Sequence, residues 1–172
     1  MRKADGAVFP IREEWIVAFE AQFGAEDWQA VVRGPFQAAL AIVAADPGGL
    51  VAAAKEGGAL ASVMRAGDGA GGLVDELVAD ITSDRPSMKE IGISRQHKDQ
   101  ALASAIEAMK HAAGIVEAKA PAEAAGYNSW LVSISEGVAN AAKEGGILGF
   151  GGERVSDDEQ AALAQIRSAL GV

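Results

Sequence analysis

One phrase occurs twice in this chain. Residues 50–60 read LVAAAKEGGAL and residues 138–148 read VANAAKEGGIL, with seven of eleven paired positions identical. The copies stand 88 residues apart (Lys55 to Lys143), about half of the 172-residue length. Self-similarity at such a spacing marks a repeated supersecondary unit that buries its apolar face against its copy. Each copy also has the chemistry of a helix end. Alanines propagate the helix, lysine complements the C-terminal dipole, and paired glycines supply the left-handed residue that closes it. The phrase therefore predicts one all-α domain spanning 1–172. It is expected to be a compact bundle of seven to eight helices with an internal duplication. The halves are placed at about 11–81 and 95–171, joined by a linker at about 82–94 (TSDRPSMKEIGIS).

Composition supports the helical reading and removes several functions. Hydrophobic residues make up 49% of the chain but aromatics only 5%. The apolar content is therefore largely small and aliphatic, and small side chains let helices approach closely. The chain has no cysteine, which excludes disulfides, thiolate metal sites and thiol nucleophiles. A net charge of −9 opposes phosphate backbones and anionic lipid surfaces, so neither nucleic acid nor membrane is an expected partner. Arg2 and Lys3 are followed by Asp5 and no apolar run, unlike a secretory signal. The longest apolar run, Ala38–Ala45, falls far short of the roughly 20 residues of a membrane span. A cytoplasmic protein is expected.

Helical periodicity recurs along the chain. Ile11, Trp15, Phe19 and Phe23 recur every fourth residue, with Gly24 as the residue that ends their helix. A second helix is expected over 25–33, with Glu26 and Asp27 at its positive end. Gly34-Pro35 is expected to break it, Pro35 then starting a new helix striped by Phe36, Leu40 and Val43. Leu73, Leu77 and Ile81 mark another helix. A long helix over 95–119 carries Leu102, Ile106, Met109, Ala113 and Val116 on one face. Pro121 is expected to start the next, with Tyr127, Trp130, Ile134, Val138 and Ala141 facing inward and Gly145-Gly146 at its end. Ser156 to Glu159 form a capping box for a last helix that buries Leu163, Ile166 and Leu170.

Chemistry-bearing patterns are sparse. Gly67 to Gly72 fit G-x-G-x-x-G, but the motif needs a strand before it, and ALASVMRA reads as helix. His97 and His111 lie fourteen residues apart on one expected helix, roughly 21 Å at 1.5 Å per residue, too far to share a metal. Both are expected in solvent, with Glu107 four residues before His111 and able to pair with it. No Glu-x-x-His, G-x-S-x-G or S-x-x-K pattern is present. Asp46 and Glu136 are the candidate ligands for a hard divalent cation, which takes several carboxylate or carbonyl oxygens. Asp46 also reads as a helix N-cap before Pro47. Ile147, Leu148 and Phe150, set among glycines in ILGFGG, are the candidate partner-binding residues.

Two segments carry a family resemblance. Val155-Ser156-Asp157-Asp158-Glu159 with the AALAQIRSALGV that follows, and Ala44-Ala45-Asp46-Pro47-Gly48, resemble the A-D-G-x-[IV]-x-x-x-E phrases of the TerB-like family. These are small bacterial helical domains associated with tellurite resistance and stress operons. The resemblance implies an all-helical fold with internal pseudo-symmetry, and an acidic cation-binding cluster. The chain departs from the pattern at three points. Gly151 and Gly152 occupy the region where an aspartate is expected before Val155, Pro47 interrupts the Asp-Gly step at Asp46, and Ala53 stands where a glutamate would follow Asp46. The expected function is a non-enzymatic protein working through protein contacts or self-association in a stress-related setting, with no cofactor. The alternative is a TerB-like binder of divalent cations.

Overall fold

A computed structural model describes residues 18–45, 65–67, 72–83, 98–144 and 155–172. Among them the regular elements are α-helices: α1 Ala18–Phe23, α2 Ala25–Ala45, α3 Gly72–Ser83, α4 Lys98–Lys119, α5 Ala124–Glu144 and α6 Asp157–Leu170. Residues 65–67 are helical as well. The fold is an all-α bundle, as expected. The first copy of the repeated phrase, the 84–94 part of the linker, Asp46 and the ILGFGG loop lie outside the described residues.

The bundle is built around α2, which packs on α1, α4, α5 and α6. From Val31 to Ala45 every residue except Arg33 and Leu40 is buried. A helix that is apolar all round belongs inside, so the expected stripe of Phe36, Leu40 and Val43 understates its burial. Leu40 is the more exposed side of this helix. Around it, Leu73, Leu77 and Ile81 of α3, Met109 of α4, Tyr127, Leu131 and Ile134 of α5, and Ile166 of α6 are fully buried. Each such aliphatic side chain stabilises the fold by about 1.5–3 kcal/mol.

The expected break at Gly34-Pro35 does not occur, and α2 runs unbroken through Pro35. Proline in a helix interior removes one N–H and leaves the carbonyl four residues earlier without its donor. Here that carbonyl is Val31 O, and the Tyr127 hydroxyl of α5 donates to it at 2.8 Å. Burial keeps the phenol protonated by raising its pKa, so it remains a donor. Gly34 makes the approach possible: a Cβ there would lie 2.0 Å from Tyr127 Oη and 3.5 Å from the Ala112 Cβ of α4. The dipeptide that reads as a helix break is thus a docking notch for another helix.

Small residues also set the α2–α4 packing. The buried line of α4 is Ala105, Met109, Ala112 and Val116, while Leu102, Ile106 and Ala113 sit at its margins. The line shares Met109 and Val116 with the expected stripe and adds Ala105 and Ala112, the latter meeting Gly34 of α2. In α5, Tyr127, Trp130 and Ile134 are buried as expected, and Val138 is partly buried at the core edge. Leu131, Val132, Ser135 and Ala139 are buried too. Pro121 lies in the turn before α5, and the helix starts at Ala124. The capping box forms as read: Ser156 Oγ accepts from the Glu159 amide, and the Glu159 carboxylate accepts from the Ser156 amide at 2.8 Å. In α6 the fully buried positions are Ala162 and Ile166, and Leu163 is partly buried.

Candidate functional site

The polar side chains that reach inward are mostly turned to helix backbone. Glu76 of α3 is 6% exposed. Its carboxylate accepts from the Phe19 amide at 3.2 Å and the Glu20 amide at 3.2 Å, closing the first turn of α1. Burial pushes its carboxyl above the ordinary value of 4.5; the two backbone donors pull it down, and the charges of Glu20 and Asp80 push it up. One turn along, Asp80 accepts from Trp28 Nε1 at 2.9 Å. Glu123, in the turn before α5, accepts from the Leu73 amide at 3.0 Å in the first turn of α3. A carboxylate at a helix N-terminus meets both unsatisfied amides and the positive end of the dipole.

Helix C-termini are served in the same way. Lys119 Nζ donates to Phe23 O at the end of α1 and pairs with Asp27 at 2.6 Å. Gln22 in return donates to Lys119 O at the end of α4. Asn128 Nδ2 donates to Leu170 O, the last residue of α6, at 3.0 Å. Ser135, fully buried, donates within reach of Ala38 O at 3.2 Å and Leu131 O at 3.1 Å. Two interior atoms differ: Trp130 Nε1 and Asn128 Oδ1 are buried with no hydrogen-bond partner among the described residues. The Trp130 ring packs edge-on against Tyr127, with centroids 6.2 Å apart.

The residues singled out from the sequence are dispersed. Glu136 is partly exposed on α5 and forms an ion pair with Arg167 of α6. Asp46, its expected companion, lies outside the described residues, as do Ile147, Leu148, Phe150, Lys55, Glu56 and His97. Lys143 and Glu144 fall in the last turn of α5, consistent with a helix end. His111 is exposed, and Glu107 pairs with Lys110 at 3.3 Å. Residues 65–67, which lead into the glycine loop and include its first glycine, are helical rather than extended. Among the described residues, no three His, Asp or Glu side chains converge as metal ligands, and no helix is long and apolar enough to cross a membrane.

Glu76, Glu123 and Tyr127 were not legible as fold-setting groups from residue type alone. A signal existed for two of them. Glu76 and Asp80 each precede a residue of the Leu73, Leu77, Ile81 stripe, so both fall beside the buried face. Tyr127 lies on the inward face of α5, and Pro35, lacking an N–H, leaves a helical carbonyl that an outside donor can take.

Compared with protein-family models, curated proteins and solved structures, the chain matches none.

Proposed function

We propose that this chain is a non-enzymatic helical module that works by associating with other proteins or with a second copy of itself, in a stress-related bacterial setting. What supports this reading is the use made of its interior polar groups. Of the four buried polar side chains among the described residues, Glu76, Ser135 and Glu159 bond to backbone, and Gln37 is also engaged. Tyr127 does the same across two helices. Catalytic groups are held with their reactive atoms open to a substrate, whereas these are consumed in fastening helices.

The apolar residues Ile147, Leu148 and Phe150 are the proposed contact surface. The test is mass in solution by light scattering over a wide concentration range, for the wild type and for Phe150→Ser. Concentration-dependent association weakened by Phe150→Ser is the expected result. A monomer at every concentration, joined to calorimetric binding of calcium, magnesium or zinc that Asp46→Ala abolishes, would instead establish the divalent-cation reading.

A further inference from the structure

We infer that α1 is a latch, hinged at Gly24 and pinned at its two ends by side chains distant in sequence, which opens as one unit and uncovers Trp28. The hinge is a single residue. Gly24 accepts the Trp28 amide at 2.9 Å and donates to Glu20 O at 2.9 Å, so helical bonding reaches it from both sides. Only its left-handed backbone, φ 80°, turns α1 away from α2. Among the described residues, a Cβ at Gly24 would touch nothing within 4 Å, so the glycine itself is not wedged in place.

A helix as short as α1 has no stability of its own, because nucleation is unfavourable and few bonds follow it. Its closed position rests on the two pins and on the packing of Phe23 and, partly buried at the core edge, Phe19. Glu76 holds the Phe19 and Glu20 amides at one end. Lys119 holds Phe23 O at the other, with Gln22 answering onto Lys119 O. Between the pins, Phe23 packs edge-on against Trp28, with centroids 6.0 Å apart. Trp28 is 2% exposed in this state. Each pin centres on one charged side chain bonded to backbone, and its loss weakens the hold at that end; at the Lys119 pin, Gln22 still reaches Lys119 O. Helical backbone at Gly24 would extend α2 through α1 and lift Phe23 from the Trp28 ring.

Hydrogen–deuterium exchange of the full chain tests this, read together with Trp28 emission in a Trp15→Phe, Trp130→Phe background that leaves Trp28 as the sole tryptophan. Glu76→Ala, Lys119→Ala and Gly24→Ala attack the two pins and the hinge independently. In each, the amides of 19–23 are expected to exchange faster as a block, by roughly fivefold to tenfold for a lost cap, while α2, α4 and α5 keep their protection. Trp28 emission shifts to the red alongside. The inference is overturned if 19–23 exchange in the wild type only at the rate of α2. It is also overturned if each substitution frees only the amides beside it. Should Glu76→Ala unfold the chain through its buried position, Gly24→Ala and Lys119→Ala carry the same test from the surface side.

Discussion

Gly24 and Gly34-Pro35 carry the same sequence message, and the structure answers them in opposite ways. At Gly24 the helix stops and turns. At Gly34-Pro35, where two helix-breaking residues stand together, it continues. The difference lies in what surrounds each site. Among the described residues nothing is within 4 Å of a Cβ on Gly24, and its backbone adopts the left-handed conformation that glycine enters without steric cost. Gly34 is crowded by Tyr127 and Ala112, and the donor missing at Pro35 is supplied by Tyr127. Local propensity decides where no helix crowds the glycine itself, and packing overrides it where a partner helix supplies the lost bond.

The contrast can be broken first at its glycines. Gly34→Ala is expected to cost about 3 kcal/mol, through overpacking against a buried ring that cannot retreat. Gly24→Ala meets no atom and carries only the left-handed penalty, about 1–2 kcal/mol. Urea melts of the two variants should differ in midpoint in that order, and equal losses would contradict the assignment. Tyr127→Phe keeps the ring and removes the donor to Val31 O, for an expected loss of about 1–3 kcal/mol. Ser156→Ala removes one half of the α6 capping box, worth about 1 kcal/mol. Arg167→Ala removes an exposed pair with Glu136 and should cost less than about 1 kcal/mol.

Glu76 adds a pH signature. Its folded-state pKa is raised above 4.5, chiefly by burial. A group shifted upward favours the folded state when protonated. Its contribution is full below pH 4.5 and is lost as pH rises through the higher folded value. Glu76→Gln should flatten stability over that interval in pH-dependent melts. An unchanged slope would remove Glu76 as its source.

The all-α class was legible because apolar spacing along α3, α4, α5 and α6 follows the helical period, and the capping box was legible because its partners are three residues apart. Two things were not. Alanines such as Ala105 and Ala112 carry no size signal, so of the buried line of α4 only Met109 and Val116 stand out in the sequence. The Val31–Tyr127 bond spans 96 residues, and no local pattern encodes such a distance. Of the candidate site, Glu136 could be found by residue type, but its engagement with Arg167 depends on how α5 and α6 pack.

The central claim is that Tyr127 replaces the donor Pro35 lacks, and a double-mutant cycle tests it most directly. Pro35→Ala returns an N–H to Val31 O, so Tyr127→Phe should then cost less than it does beside proline. The predicted coupling is about 1 kcal/mol or more in denaturation melts. Losses that add within about 0.3 kcal/mol would show that the two residues act independently, and the account of the unbroken helix would fail.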